Sequence, residues 1–204
     1  YGLSEATPVI STNSPKYHWH KFGSSGKILI PLELKILDEE GREVPRGQKG
    51  EIVVRGENVM AGYWKNPGAT AETVRDGWLH TGDLGILDPD GYLYIKGRSK
   101  SLILGPSGQN IYPEEIEDLL NAQPYIAESL VIEREGKLVA LVYPDSEAMK
   151  QHKISRDTLL KIIHETRKQI NQQIPAYSQI ARIEIHDEEF EKTPKRSIKR
   201  FLYQ

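Results

Sequence analysis

Along residues 1–97 the apolar positions come in short β-prone runs rather than in helical stripes. Lys27 to Leu37, Glu51 to Arg55 and Tyr92 to Lys96 are such runs, separated by turn clusters, DEEGRE at 38–43 and DPDG at 88–91. In the second cluster Pro89 pre-sets the turn and Gly91 tolerates positive φ, so the run from Ile86 is expected to fold back on the run from Tyr92 as a hairpin.

After Gly97 the pattern becomes mixed. Tyr112-Pro113-Glu114-Glu115 opens a helix, with Pro in the first turn and carboxylates at the positive end of the helix dipole; Ile116, Leu119 and Leu120 form its apolar stripe. Two β-runs follow, Ser129 to Arg134 and Lys137 to Tyr143, joined through Glu135-Gly136. The spacing of Leu159, Ile162, Ile163, Ile170 and Ile174 predicts a helix from about Ser155 to Ile174 that stops before Pro175. A last strand, Ile180 to His186, leads into KTPKRSIKRF at 192–201. The change of pattern puts a boundary at Gly97 to Ser101, and the fold class is α+β.

Charge narrows the functional classes. The 204 residues carry 27 Lys and Arg against 29 Asp and Glu, a formal charge of −2, which argues against a nucleic-acid partner. The basic tail also follows Asp187, Glu188, Glu189 and Glu191, so beyond a Debye length of about 8 Å its field is largely offset. With no Cys there is no disulfide and no thiolate metal site, which is compatible with the cytosol. No apolar run approaches the roughly 20 residues of a membrane helix, which leaves peripheral membrane contact open.

Several clusters carry candidate chemistry. Tyr1-Gly2-Leu3-Ser4-Glu5 offers an aromatic face, a flexible Gly, a hydroxyl and a carboxylate, groups able to stack on a base, meet a phosphate and hold Mg²⁺; composition and spacing alone favour a loop with a helix cap. Asp83, after Gly82, can accept hydrogen bonds from two vicinal hydroxyls or be a plain turn acid. Gly23-Ser24-Ser25-Gly26-Lys27 lacks the spacing of a phosphate loop, and His18 and His20 have no third ligand, so both are read as structural. His80 is given no role.

The order YGLSE, GEIVVRG, MAGYWKNP, GWLHTGD, GYLYIKGRSK and GQNIYPEEIE resembles the adenylate-forming (AMP-forming) acyl-CoA synthetase family, most of all the C-terminal third of a bacterial long-chain fatty acid CoA ligase. The resemblance implies a ligase that uses Mg²⁺ and ATP to turn a carboxylic acid into an acyl-adenylate and passes the acyl group to coenzyme A. It implies that residues 1–97 are the β-rich end of a large AMP-binding domain, 98–101 a hinge, and 102–204 a small mobile α+β C-terminal domain. On this reading the chain begins inside a motif, partners the upstream part of the same chain, and is inactive alone. Tyr1 would stack on adenine, Ser4, where the family usually has Thr, would touch the α-phosphate, and Glu5 would ligate Mg²⁺. Asp83 would bind the ribose hydroxyls with help from Arg98. Lys100 would be the pivot, and Gly105 to Asn110, with Gly108 in it, would border the channel for the pantetheine arm of CoA. An acyl-acyl carrier protein synthetase, another adenylate-forming ligase and a non-catalytic nucleotide-sensing module are the alternatives.

The family's terminal catalytic lysine is expected where this chain has Ser197, with Lys195 and Lys199 on either side. Either lysine can reach across a two-residue displacement, Lys195 from the turn after Pro194 and Lys199 from the same face as Ser197 if the tail is extended. An impaired adenylation step and a merely solvated basic strand stand beside that reading.

Overall fold

The computed structural model describes residues 1–14, 20–106, 108–194 and 196–204. His18 and Lys195 therefore lie outside the described residues. The chain divides into two compact units, Tyr1–Lys100 and Ser101–Gln204.

The first unit begins with a small ribbon, β1 (Ser11–Thr12) against β2 (Lys27–Ile28). Its main sheet contains β3 (Glu33–Leu37), β4 (Lys49–Arg55), β5 (Val74–Arg75), β6 (Trp78–Leu87) and β7 (Leu93–Arg98), all neighbours antiparallel. A short helix, α1 (Pro67–Thr73), precedes β5. Strand β6 is central: β4 lies along one edge, while β5 and β7 share the other. The run expected from Lys27 to Leu37 is broken where Leu29 to Leu32 form a turn, the Leu32 N–H donating to the Leu29 carbonyl at 2.8 Å. The hairpin at 88–91 forms as the sequence suggests, with Leu87 opposite Leu93 and the Asp88 side chain accepting from the Tyr92 N–H. Ile10, Ile36, Ile52, Val54, Leu79 and Leu93 bury the core of this unit.

The second unit opens with a two-stranded ribbon, β8 (Ile103–Leu104) and β9 (Asn110–Ile111). Next come α2 (Pro113–Asn121), β10 (Ile126–Arg134), β11 (Lys137–Pro144), α3 (Ser146–Gln151), α4 (Arg156–Asn171) and β12 (Ile180–Ile185). Strands β10 and β11 are antiparallel through the Glu135-Gly136 turn, and β12 returns across α4 to lie parallel to β11. One face of this sheet carries Val131, Ala140 and Val142 against Ile116 and Leu120 of α2 and Leu159, Ile163 and Ile170 of α4. The other face packs Leu130, Ile132, Val139 and Leu141 under Phe190, with Ile198 and Tyr203 of the tail against them.

Helix α4 starts at its Ser155 cap as expected but ends at Asn171, so Ile174 packs on the core from beyond the helix. The short helices α1 and α3 had no apolar stripe to announce them, since neither buries a residue; they are held by side-chain caps from Asn66 and Asp145. Among the described residues no helix is long and apolar enough to cross a membrane.

Ile170 is 0% exposed on the core face of α4, whereas Leu160 is 49% exposed on the same helix. Ile170→Ala is expected to lower stability by about 2–5 kcal/mol and Leu160→Ala by less than about 0.5 kcal/mol, measured by chemical denaturation followed by circular dichroism.

Candidate active site

The first unit gathers its polar groups around a bulge in β6. Val53 of β4 faces His80 and Glu51 faces Leu84, so Thr81, Gly82 and Asp83 all lie opposite Ile52. A bulge of this kind turns side chains off the regular alternation of a strand. The side chains of Thr81, Glu51 and Ser99 fix it. The Thr81 hydroxyl donates to the Ile52 carbonyl at 2.7 Å and accepts from the Asp83 N–H at 3.1 Å. Glu51 accepts from the Gly82 N–H at 3.1 Å and meets His80 Nδ1 at 2.8 Å. The Ser99 hydroxyl donates to the Gly82 carbonyl at 3.1 Å.

Asp83 is thereby held at 5% exposure, a costly place for a carboxylate unless it is paired. It is paired twice. The Tyr1 hydroxyl donates to Oδ2 at 2.7 Å, and Arg98 Nε meets Oδ1 at 3.0 Å from the adjacent strand, where Arg98 is the register partner of Asp83. Burial pushes the Tyr1 hydroxyl well above the ordinary tyrosine range, with the Asp83 carboxylate adding to the effect, so it remains a donor. A carboxylate has about four acceptor positions, so two protein partners leave Asp83 able to accept from two further hydroxyls.

The Tyr1 ring packs against the core of the first unit together with Leu3. Its backbone is pinned as well: the Tyr1 carbonyl accepts from the Ile10 and Ser11 N–H groups at 2.9 and 3.0 Å. Gly2 is required by this turn, because a Cβ there would sit 1.7 Å from the Pro8 carbonyl oxygen. Ser4 and Glu5 follow in a one-turn 3₁₀ helix, Ser4–Ala6, with Ser4 exposed. Glu5 Oε1 accepts from the Tyr63 hydroxyl at 3.1 Å. Burial and then the Glu5 carboxylate raise the pKa of Tyr63, which keeps its proton for that bond. Among the described residues no group of three His, Cys, Asp or Glu can enclose a metal ion. A single carboxylate suits Mg²⁺ held mainly by phosphate oxygens and water, so Glu5 fits that ion and no self-sufficient metal cage.

Lys100 is exposed within a 3₁₀ turn, Ser99–Ser101, that ends the first unit. In the second unit, Gly105, Pro106, Gly108 and Gln109 lie at the tip of the β8–β9 ribbon, and Asn110 begins β9. The Gly105 N–H donates to the Gln109 carbonyl at 2.8 Å and the Gly108 N–H to the Gly105 carbonyl at 2.9 Å. Gly108 has φ +80 with open space around it, so backbone angle rather than crowding favours glycine there. Beside this tip lies a cavity of about 520 Å³ lined by residues that include Leu104, Pro106, Gln109, Lys137 and Tyr177.

The basic tail is a hairpin rather than one extended strand, with Ser197, Ile198 and Lys199 together on its return leg. Lys192 bridges Ile198, the Thr193 N–H donates to the Ser197 carbonyl at 2.8 Å, and Arg196 takes φ +62. A left-handed residue between Pro194 and Ser197 reverses the chain, so Lys199 sits on the return leg. Its ammonium pairs with Glu191 at 3.0 Å.

Tyr1, Asp83 and Arg98 are thus brought together as the sequence suggests, and Ser4 and Glu5 follow Tyr1 in one short turn. The supports were missed: Glu51, Thr81 and Tyr63 are ordinary strand and loop residues in the sequence, and only Gly82 hinted at the bulge.

Residues 1–64 match the family described as AMP-binding enzyme, and residues 100–203 match the AMP-binding enzyme C-terminal domain. The chain is 39% identical over 165 residues to a 2-succinylbenzoate–CoA ligase of Bacillus cytotoxicus, covering 81% of this chain and 34% of that one. It is 45% identical over 128 residues to a long-chain-fatty-acid–CoA ligase of Escherichia coli O6:H1, covering 63% and 22%. The O-succinylbenzoate coenzyme A synthetase of Bacillus subtilis, solved in complex with AMP, matches with a TM-score of 0.79 at 31% identity, over 100% of this chain and 40% of its own. The same synthetase in complex with ATP and magnesium ion gives 0.78 at 32% identity, over 98% and 40%. The chain spans about a third of the curated relative from Bacillus cytotoxicus.

Tyr1→Phe keeps the ring and removes the donor to a buried carboxylate, so it is expected to cost about 1.5–3 kcal/mol of stability. Tyr63→Phe, at an exposed bond, is expected to cost under about 1 kcal/mol. Chemical denaturation followed by tryptophan fluorescence measures both.

Proposed function

The chain belongs to the AMP-binding enzyme family, and from that membership we propose that it is a portion of an AMP-forming acid–thiol ligase whose first unit holds the nucleotide of ATP and whose second unit serves the transfer to CoA. The observation that carries this reading is the doubly paired Asp83. Its carboxylate is fixed by Tyr1 and Arg98, with acceptor positions left for the two hydroxyls of a ribose. Tyr1 would present its ring to adenine, Ser4 its exposed hydroxyl to the α-phosphate, and Arg98 a second contact to the ribose. Bound at Glu5, Mg²⁺ would neutralise phosphate charge.

The reaction has two halves. A carboxylate oxygen of the acid attacks the α-phosphorus and pyrophosphate leaves, giving the acyl-adenylate. The CoA sulfur then attacks the acyl carbon, the thiol proton is lost and AMP leaves. A lysine of the tail, Lys195 or Lys199, would stabilise charge in the first half, a role suited to a cation placed where charge develops. In the second half the ribbon tip with Gly108 would border the pantetheine arm, a reading supported by the adjoining cavity. Lys100, in the exposed turn that closes the first unit, would be the hinge between the two poses.

The acid we propose is a long-chain fatty acid, supported by the 45% identity to the Escherichia coli ligase. The similarity to 2-succinylbenzoate ligases makes that aromatic acid the direct competitor. Full-length protein with Mg-ATP and CoA is expected to release AMP and form thioester with palmitate and not with 2-succinylbenzoate; the reverse outcome rejects the acid, and inertness toward both rejects the ligase reading. Asp83→Ala is expected to raise the KM for ATP by at least about tenfold, since each lost charge-assisted bond is worth roughly 1.5–3 kcal/mol.

The half-reactions separate the remaining roles. Lys100→Pro, which fixes φ at the turn, is expected to slow thioester formation from a supplied acyl-adenylate more than adenylate formation. One of Lys195→Ala and Lys199→Ala is expected to do the opposite, with hydroxylamine trapping as the readout for adenylate. Parental adenylation in both lysine variants would return the tail to a solvated hairpin.

A further inference from the structure

The outgoing leg of the tail hairpin is tied down by Lys192, whose ammonium meets Glu128 and Glu189, each at 2.5 Å. The return leg ends on Arg200, whose side chain is only 19% exposed. That guanidinium donates to Glu117 Oε2 on α2 and, at 3.3 Å, to the Val131 carbonyl on β10, and it lies 3.5 Å from Glu114. Glu117 is itself fixed, since its other oxygen accepts from the Val131 N–H at 2.6 Å. Arg200 therefore reads two elements at once through a planar fork, which a Lys cannot reproduce.

The packing of the second unit does not depend on this contact. Helix α2 and β10 already meet through Ile116, Leu120 and Val131 in the main core. What depends on Arg200 is the tail. Between its two anchors, among the described residues, the Lys192–Ile198 bridge, a few turn hydrogen bonds, the Lys199–Glu191 pair and the Ile198 side chain hold the hairpin. We propose that Arg200 is a positioning residue for adenylation: by clasping Glu117 and the Val131 carbonyl it fixes the hairpin on α2 and β10, so that the tail is presented in one place. This rests on the ligase reading above, in which the tail acts in the first half-reaction only.

The test uses the full-length protein with Arg200→Met, Arg200→Lys and the double variant Glu117→Gln/Arg200→Met. The double variant removes the unpaired buried charge that the single one leaves, and Gln can still accept from the Val131 N–H, so it recovers stability without recovering direction. Arg200→Met and the double variant are expected to lower kcat for hydroxylamine-trapped adenylate by at least about tenfold. The KM for ATP and the thioester half-reaction are expected to stay within about threefold of the parent, and Arg200→Lys to recover part of the loss. In both Met-containing variants the Thr193 and Lys199 amides are expected to exchange at least about tenfold faster, while those of Val139 and Leu141 are unchanged. Equal loss in both half-reactions, full adenylation in the double variant, or unchanged Thr193 and Lys199 exchange overturns the proposal. Should the parent form no acyl-adenylate, the ligase reading fails instead, and the amide exchange still decides whether Arg200 clasps the tail.

Discussion

Strand β6 is bonded on both sides and cannot slide, yet it carries three residues opposite a single residue of β4. That mismatch is absorbed at Thr81-Gly82-Asp83, where Glu51 and Ser99 secure the backbone that strand pairing leaves over. The buried carboxylate of Asp83 is a consequence of this geometry. So are its two partners, the Tyr1 hydroxyl and the Arg98 guanidinium, which offset the loss of water. A buried carboxylate with acceptor positions to spare therefore comes from a register defect between β4 and β6.

The second unit is governed by a sheet with two apolar faces. One takes α2 and α4, and the other takes the chain after β12. Because both faces must be covered, His186, Phe190 and Tyr203 serve the packing: His186 stacks on Phe190 at 4.8 Å between ring centres, and Tyr203 meets both rings edge-on. The hairpin is the part of this segment that projects from that packed base.

Much of the architecture was legible because it rests on local chemistry. Pro89 and Gly91 wrote the β6–β7 turn, Glu135-Gly136 wrote the β10–β11 turn with both residues at positive φ, and the stripe of Leu159, Ile163 and Ile170 wrote α4. What escaped depends on partners distant in sequence. Nothing near Thr81 reveals that Ile52 will face it. Nothing in a lysine-rich tail shows that Arg200 will be buried on Glu117. The hairpin at 193–197 escaped for a different reason, since Arg196 is a poor signal for a left-handed turn. Tyr1, Asp83 and Arg98 were singled out through family resemblance, and what the sequence did not show is that they contact one another.

The clasp at Arg200 also bears on the order in which the second unit can mature. Glu117 and Arg200 are 83 residues apart, and the Val131 carbonyl is 69 residues from the same guanidinium. During vectorial synthesis α2, β10 and β11 emerge with their apolar faces ready to associate, but the Glu117 carboxylate has no counter-charge until the tail leaves the ribosome. At a translation rate of roughly 5–20 residues per second, that interval lasts about 4 to 16 seconds. Over that interval Glu117 lacks its guanidinium partner, and the protonation that its burial favours lowers the cost of covering it. Synthesis of the tail is then the event that pairs Glu117 and fastens the hairpin.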